Sequence, residues 1–541
     1  MSGHCGLDQI TSFTGAVLMT LCTLAQAGSA PAGVSPGASA SHGPRVLQVG
    51  THRGQHGAYA SIQSAVNAAH PGDWILIAPG DYHEQGNPLA GVYITTPGIH
   101  LRGMDRNAVV VDGTLPGAVR CSADLAAQNF GIGGAGRNGI EVFKVDGVSV
   151  ENLTTCNFNG DTYGNRGNQI WWNGGDGSGQ IGMGSFYGAY LTASSTFYQA
   201  GANIAQYGIF VSNTRGPGKI ENSYASNMSD SAFYVGGCPD CNTILSRVHA
   251  QNSAQGYSGS NSGGHLVLEY SEWDHNQAGI VPSALAVDDP PSPQNGACPN
   301  EPGKSCTLIQ FNYVHDNNNP NTPAAGLAAS VAVGTGIDLT GGQNNTVRYN
   351  LVSNNGSWGI LLNDYADFAP PVASPSYCQG GQIDFTPPPP FDQLYGPMIP
   401  CYFNSFGNRV EGNLFYGNGS FGNATNGDMA NAALAYPINN CFVDNSDLQT
   451  GSPSSSPSHL QSHAVAGVCG APWNPDTAQE FMLIDQLGCA SLGPASGACA
   501  GLPPPLYPLQ TQVQLIPIAR EPGMSNPCAG VPANSWCVKE P

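Results

Sequence analysis

Asn312-Tyr-Val-His-Asp-Asn317 has six counterparts along the chain. They are Asn152-Leu-Thr-Thr-Cys-Asn157, Asn222-Ser-Tyr-Ala-Ser-Asn227, Arg247-Val-His-Ala-Gln-Asn252, Ser271-Glu-Trp-Asp-His-Asn276, Asn350-Leu-Val-Ser-Asn-Asn355 and Asn413-Leu-Phe-Tyr-Gly-Asn418. Every window ends in Asn, most begin with it, and the third position is usually apolar or aromatic. Asn is a poor strand former, so its return at one register needs a cause. A turn in a stacked coil supplies one. There the amide of one coil donates to the amide oxygen of the next, at a strand spacing of ~4.8 Å. The closing residues Asn157, Asn227, Asn252, Asn276, Asn317, Asn355 and Asn418 are therefore read as structural.

Asn227 to Asn252 is 25 residues and Asn252 to Asn276 is 24, the length of a coil of three short strands. The larger gaps of 41, 38 and 63 residues contain Pro-rich or Cys-bearing stretches, read as loops thrown out from a regular coil. A β-sandwich would give no reason for a single Asn column. The expected fold is all-β: a right-handed parallel β-helix over residues 45–435, with an N-terminal helical cap. Past 436 the periodicity stops; a Ser/Pro-rich run at 451–459, five cysteines beyond it and many prolines imply an irregular, disulfide-pinned extension, residues 436–541, lying along the solenoid or capping its far end.

Composition agrees. Of 541 residues only 10% are charged, and the formal net charge of −20 disfavours nucleic acid and anionic membrane surfaces as partners. A polyanionic substrate would need local Arg residues or a bound cation such as Ca²⁺ to offset that field. Residues 13–24 are apolar over the length of a signal-peptide core and end at Ala25-Gln26-Ala27, a small-x-small cleavage site. Residues 1–27 are thus read as an export signal and 28–44 as a linker, which makes the mature chain secreted, with no membrane insertion. Removing Cys5 and Cys22 with the signal leaves 14 of the 16 cysteines, an even number that suits an oxidising compartment. Cys298/Cys306, Cys378/Cys401, Cys489/Cys499 and Cys528/Cys537 are close enough to close local loops, and Cys238-Pro-Asp-Cys241 reads better as a disulfide than as half of a zinc site.

Ser61-Ile-Gln-Ser-Ala-Val-Asn-Ala-Ala-His-Pro-Gly-Asp73, followed by Trp74-Ile-Leu-Ile-Ala-Pro-Gly-Asp-Tyr82, resembles the opening of secreted, bacterial-type pectin-lyase-like β-helix proteins. Its helical turn would cap the open end of the solenoid. The resemblance spans roughly residues 45–425 and implies the fold but no single activity, because lyases, hydrolases, epimerases, esterases and adhesins share the scaffold. The Asn-Thr-Asp set of polygalacturonases, the Asp-Pro-His-Glu of alginate epimerases and the Gly-Arg-Pro-Trp of pectin methylesterases are absent.

Stacking turns sequence columns into patches. Asp274 aligns with His315 and His275 with Asp316, so an Asp–His pair recurs on adjacent coils. Trp273 and Val314 would point inward, and Asp274 and His315 outward to solvent. Carboxylate beside imidazole is acid–base equipment, and these four are the catalytic candidates, against the blander reading of a solvated polar face. Glu272 and Arg247 are candidate substrate contacts, as are Trp171 and Trp172, read as an exposed pair on a Gly-rich loop suited to stacking on sugar. Asp338 and Asp364 are further carboxylates on later coils, and the insertions 283–308 (with Asp288 and Asp289) and 365–401 would wall a groove. The expected partner is a polysaccharide, cleaved or epimerised on the lateral face of a monomer. The competing reading is a non-catalytic adhesion or glycan-binding solenoid.

Overall fold

The computed structural model describes residues 43–538 except 162–163, 201–203, 287–292, 368–377, 382–400, 434–438, 462–476 and 494–496. The expected export signal, most of the expected linker, Asp288, Asp289 and most of the second insertion lie outside the described residues.

The chain is a right-handed parallel β-helix. Each complete coil contributes three short strands. Leu266–Glu269, Glu272–Asp274 and Ala278–Ser283 make one such coil, and each pairs in parallel with its equivalent on the next, Thr307–Gln310, Tyr313–His315 and Thr335–Thr340. The first two strands of every coil fall in one sheet and the third in an eleven-stranded sheet. A single residue with positive φ bends the chain between the first two strands: Asn222, Arg247, Tyr270, Phe311 and Tyr349 on successive coils. A second such residue closes the second strand: Asn227, Asn252, His275, Asp316 and Asn354, then Gly417. Asn tolerates this left-handed conformation better than other non-glycine residues, which accounts for its recurrence.

The Asn column expected from the windows is in fact two columns. Asn157, Asn227 and Asn252 occupy the left-handed turn position, but Asn276, Asn317, Asn355 and Asn418 sit one residue later, inside the coil. Pairing Gln251 with Asp274 shows the slip, since it sets Asn252 against His275 rather than Asn276. The inner residues are linked through their amides. Asn276 Nδ2 donates to Asn317 Oδ1 (3.1 Å), Asn317 to Asn355 (3.2 Å) and Asn355 to Asn418 (3.2 Å), and Asn317 Nδ2 also reaches the Trp273 carbonyl at 2.9 Å. A parallel row runs Asn312, Asn350, Asn413, Asn445. All but the half-buried Asn418 are buried, so each bond between buried amides offsets a desolvation of about 1–3 kcal/mol.

The interior is filled by the inward residues of each strand, stacked coil on coil. Ile140, Ile170, Ile209, Phe233, Tyr257, Ile280, Ile337, Ile360 and Met429 form such a row in the eleven-stranded sheet. A fully buried aliphatic side chain contributes about 1.5–3 kcal/mol. The helix Ile62–Ala68 seals the N-terminal end with Ile62, Ala65 and Val66, and its first two N–H groups are held by the Glu84 carboxylate at 2.6 and 2.9 Å.

The coils run past the expected boundary at 435. Cys441–Val443, Ser446–Asp447 and Ser455–Ser456 continue both sheets, and Asn440 and Asn445 continue the amide rows. Beyond them the helix Thr477–Leu492 packs with Leu483 against the buried Trp358, Leu361 and Ala430. An extended tail then returns along the wall. Thr511 N donates to Asn321, Ile516 N to Asn227, Met524 N to Asn152 and Arg102 to the Ala529 carbonyl, and Trp536 ends the run packed on Leu76, Ala78 and Met104. Disulfides join Cys121–Cys156, Cys238–Cys241, Cys298–Cys306, Cys378–Cys401, Cys489–Cys499 and Cys528–Cys537. No helix among the described residues is long and apolar enough to cross a membrane.

Candidate active site

The strands Glu272–Asp274 and Tyr313–His315 lie side by side, with Asp274 opposite His315 and Trp273 opposite Val314. Trp273 and Val314 are in the core, so Asp274 and His315 point outward by strand alternation. The positive-φ residues His275 and Asp316 follow each of them.

All four catalytic candidates meet in one cluster. His275 Nδ1 is in hydrogen-bond contact with Asp274 Oδ2, and His315 Nδ1 lies 2.8 Å from Asp316 Oδ2. The two imidazole rings are 6.4 Å apart between centroids. His315 Nε2 is 3.2 Å from Glu272 Oε1, which puts Glu272 in the same cluster. Exposure differs sharply across it. The His275 side chain is 64% exposed, but those of Asp274 and His315 are 3% and 11% exposed, so neither Asp274 nor His315 faces solvent as expected. The reason is lateral crowding on a flat wall: His249, Gln251 and His275 bracket the carboxylate, and the Tyr313 ring lies on His315 at 3.7 Å.

His249 is the member that sequence reading missed. Its Nε2 is 2.6 Å from Asp274 Oδ1, while Gln251 Nε2 donates to Oδ2 at 2.8 Å. Aligning windows on their final Asn set His249 against the inward Trp273. The true register sets it against Glu272. Burial opposes charge on His249, but the hydrogen bond and charge of Asp274, with Glu272 and Glu521 behind it, outweigh that and hold its pKa above the usual 6.5. Burial likewise opposes charge on Asp274, and its bonds from His249, Gln251 and His275 prevail, holding it below the usual 3.8. Each partner thus favours the charged form of the other, the carboxylate on Asp274 and the imidazolium on His249. His249, Glu272 and Asp274 also offer ligand atoms within 4.8 Å of one another. A mixed imidazole–carboxylate set of this kind suits a transition metal better than Ca²⁺, which takes oxygen ligands.

The remaining candidates stand apart. Arg247 is exposed and tied to Glu221 at 2.6 Å, directed to the preceding coil rather than to the cluster. Trp171 and Trp172 are on a strand, Ile170–Asn173, not a loop. Alternation sends Trp172 fully into the core, and Trp171 lies outward, half-buried and stacked on Phe210 at 4.9 Å. Trp172 cannot stack on a substrate. Asp338 is buried in the opposite, eleven-stranded sheet, where burial pushes its pKa up to about 7, and Asp364 is held by the Tyr402 hydroxyl and the Ser405 N–H. They do not form a pair with the cluster.

A second feature adjoins the cluster. At the bend before each second strand, Tyr270, Phe311 and Tyr349 stack with centroids 5.3 and 5.6 Å apart, all three exposed. Tyr313, Leu414 and Tyr416 are exposed beside them. Aromatic residues at positive φ are uncommon, so a run of three is a feature of this wall and not of the coil.

No protein-family model matches the chain, and no curated protein matches it. Among solved structures, a mannuronan C-5 epimerase A-module from Azotobacter vinelandii aligns with a TM-score of 0.42 at 13% identity, over 72% of this chain and 91% of that one. An alginate lyase from a Paenibacillus species aligns at 0.34 and 10% identity, over 75% and 97%. A pectin methylesterase from Erwinia chrysanthemi aligns at 0.29 and 14% identity, over 81% and 100%.

Proposed function

We propose that this is an exported carbohydrate-active protein that binds a polysaccharide along the wall between Tyr270 and Tyr416 and modifies it, by cleavage or epimerisation, at His275. One observation carries the reading: a buried carboxylate, Asp274, anchors one nitrogen of an exposed imidazole, His275, on a wall that also exposes a row of aromatic rings. The buried partner orients the ring by holding Nδ1, which leaves Nε2 toward solvent. The other ring nitrogen is then the group that takes or returns a substrate proton. Glu272 and Asp316, more exposed and on either side of His315, are the matching acids. The exposed edges of Tyr270, Phe311 and Tyr349 supply apolar contact for sugar rings at the repeat of the coils. With a net charge of −20, a neutral glycan fits this wall more readily than a uronate polymer, which would require a bound cation.

Incubation of the protein with pectin, alginate and a panel of neutral glycans, with and without Ca²⁺, tests the proposal. New reducing ends, unsaturated products or epimerised residues are expected from at least one. Their absence from all of them overturns the enzymatic form.

The second reading, a non-catalytic glycan-binding solenoid, is favoured by the saturation of Asp274, whose two oxygens are already engaged by three neighbours. It predicts that Asp274→Ala and His315→Ala leave glycan binding intact with no turnover to lose.

A further inference from the structure

Far from the cluster, the outward row on the first strand of the early coils runs Trp74, His100, Ser149, Tyr187. Trp74 and His100 stack at 4.2 Å. At Ser149 the row loses its ring. Coils are ~4.8 Å apart, so His100 and Tyr187, two coils apart, stand roughly 9.6 Å from each other across a hydroxymethyl group. A ring held between two others needs roughly 7–8 Å between the outer pair, twice a van der Waals contact of 3.5–4.0 Å. The gap therefore accepts one ring.

The gap opens into a cleft that the tail borders. Met524 and Ala529 of the returning tail line one side of it, in an open cleft of about 500 Å³, within the usual range for small-ligand sites. Its floor is Ser149, whose Oγ is 2.9 Å from His100 Nδ1. One side is the buried ion pair Arg102–Glu151, at 2.6 Å. That pair cancels itself, and burial holds His100 below its usual pKa, so the cavity is electrically balanced around neutrality. The Tyr187 hydroxyl is anchored on Glu221 at 2.8 Å, which fixes the far ring.

We propose that this notch binds a neutral pyranose, free or at the end of a glycan, held between the His100 and Tyr187 rings with its hydroxyls toward Ser149 and Glu151. Two aromatic faces with a polar floor and side match a ring that is apolar on its faces and hydroxylated at its rim. A charged sugar would find no unpaired counter-charge there. The site lies on the coils of residues 74–187 and is independent of the proposed chemistry at 249–316.

The same solenoid shows how to close it. Tyr270, Phe311 and Tyr349 demonstrate that rings on three successive coils can stack, so Ser149→Phe is expected to fold and fill the gap. Full-length protein titrated with glucose, galactose, mannose and their β-1,4-linked disaccharides, followed by tryptophan emission and calorimetry, is expected to show saturable binding. Ser149→Phe should weaken it at least about tenfold with an unchanged circular dichroism spectrum. Tyr187→Ala, which removes one wall without filling the cavity, should weaken it as well and decides the matter if the Phe variant misfolds. His275→Ala should bind these small sugars like the wild type, which separates this site from the polysaccharide wall. Three results overturn the proposal: no saturable binding of any neutral sugar, binding retained in the folded variants, or tighter binding of galacturonate or 4-nitrophenol than of galactose.

Discussion

From Gln48 to Asn252 the lateral wall lies under the C-terminal tail, and from Tyr270 to Tyr416 the same wall carries exposed side chains. The coil is identical in plan on both stretches, and the difference sits at the positive-φ residues. Under the tail these include Asn152, Asn227 and Asn252, whose amides bond the tail backbone through Met524, Ile516 and Gln514. On the exposed stretch the corresponding positions are Tyr270, Phe311, Tyr349, His275 and Asp316, with Asn354 the one amide among them. The amides of Asn152, Asn227 and Asn252 recruit the tail backbone, and the exposed rings and ionisable groups at Tyr270, Phe311, Tyr349 and His275 are left to meet something from solution. The acid–imidazole cluster lies where the tail leaves the wall, with His249 on the last covered coil.

The largest effect expected is catalytic. His275→Ala should lower turnover on whichever polysaccharide is modified by roughly 10²–10⁴-fold, with little change in the unfolding midpoint, because the ring is exposed. Next comes the covered stretch. Trp536→Ala removes a buried indole from the tail's last anchor and should cost about 3–5 kcal/mol, measured by urea unfolding together with faster proteolysis after residue 510. A loss below ~1 kcal/mol would mean the tail is not part of the body. Asn317→Ala strands the buried amide partners of Asn276 and the Trp273 carbonyl, and should cost about 1–3 kcal/mol without altering the tail.

The pH dependence is smaller. The raised His249 contributes stability that is fully present below 6.5 and is lost as pH rises through its folded value. The lowered Asp274 contributes stability present above 3.8 and lost as pH falls through its own. Their joint contribution is therefore greatest between 3.8 and 6.5, and Asp274→Asn should flatten the unfolding temperature across that window and its flanks. Smallest of all in stability is Phe311→Ser, expected within about 0.5 kcal/mol of wild type because the ring is exposed. Its glycan affinity should nonetheless fall.

Much of this was legible beforehand. Asn recurs because left-handed turns and buried amide rows both favour it, and the coil length followed from its spacing. The same double use hid the register slip between Asn252 and Asn276, and with it the place of His249. Trp171 and Trp172 were misread because flanking glycines suggested a loop, although a strand sends the two to opposite faces. The row Tyr270, Phe311 and Tyr349 could not be seen, since nothing local tells an aromatic residue at a left-handed bend from one on a strand. It becomes visible only when coils separated by 41 and 38 residues are stacked.

Hydroxyl-radical footprinting of side chains, with and without a bound polysaccharide, compares the two stretches most directly. Protection of Tyr270, Phe311, Tyr349, Tyr416 and His275, with Met524 and Trp536 unchanged, is the predicted result. Protection confined to the tail and the coils beneath it, or no protection on either stretch by any glycan that binds, would contradict the assignment of the exposed wall.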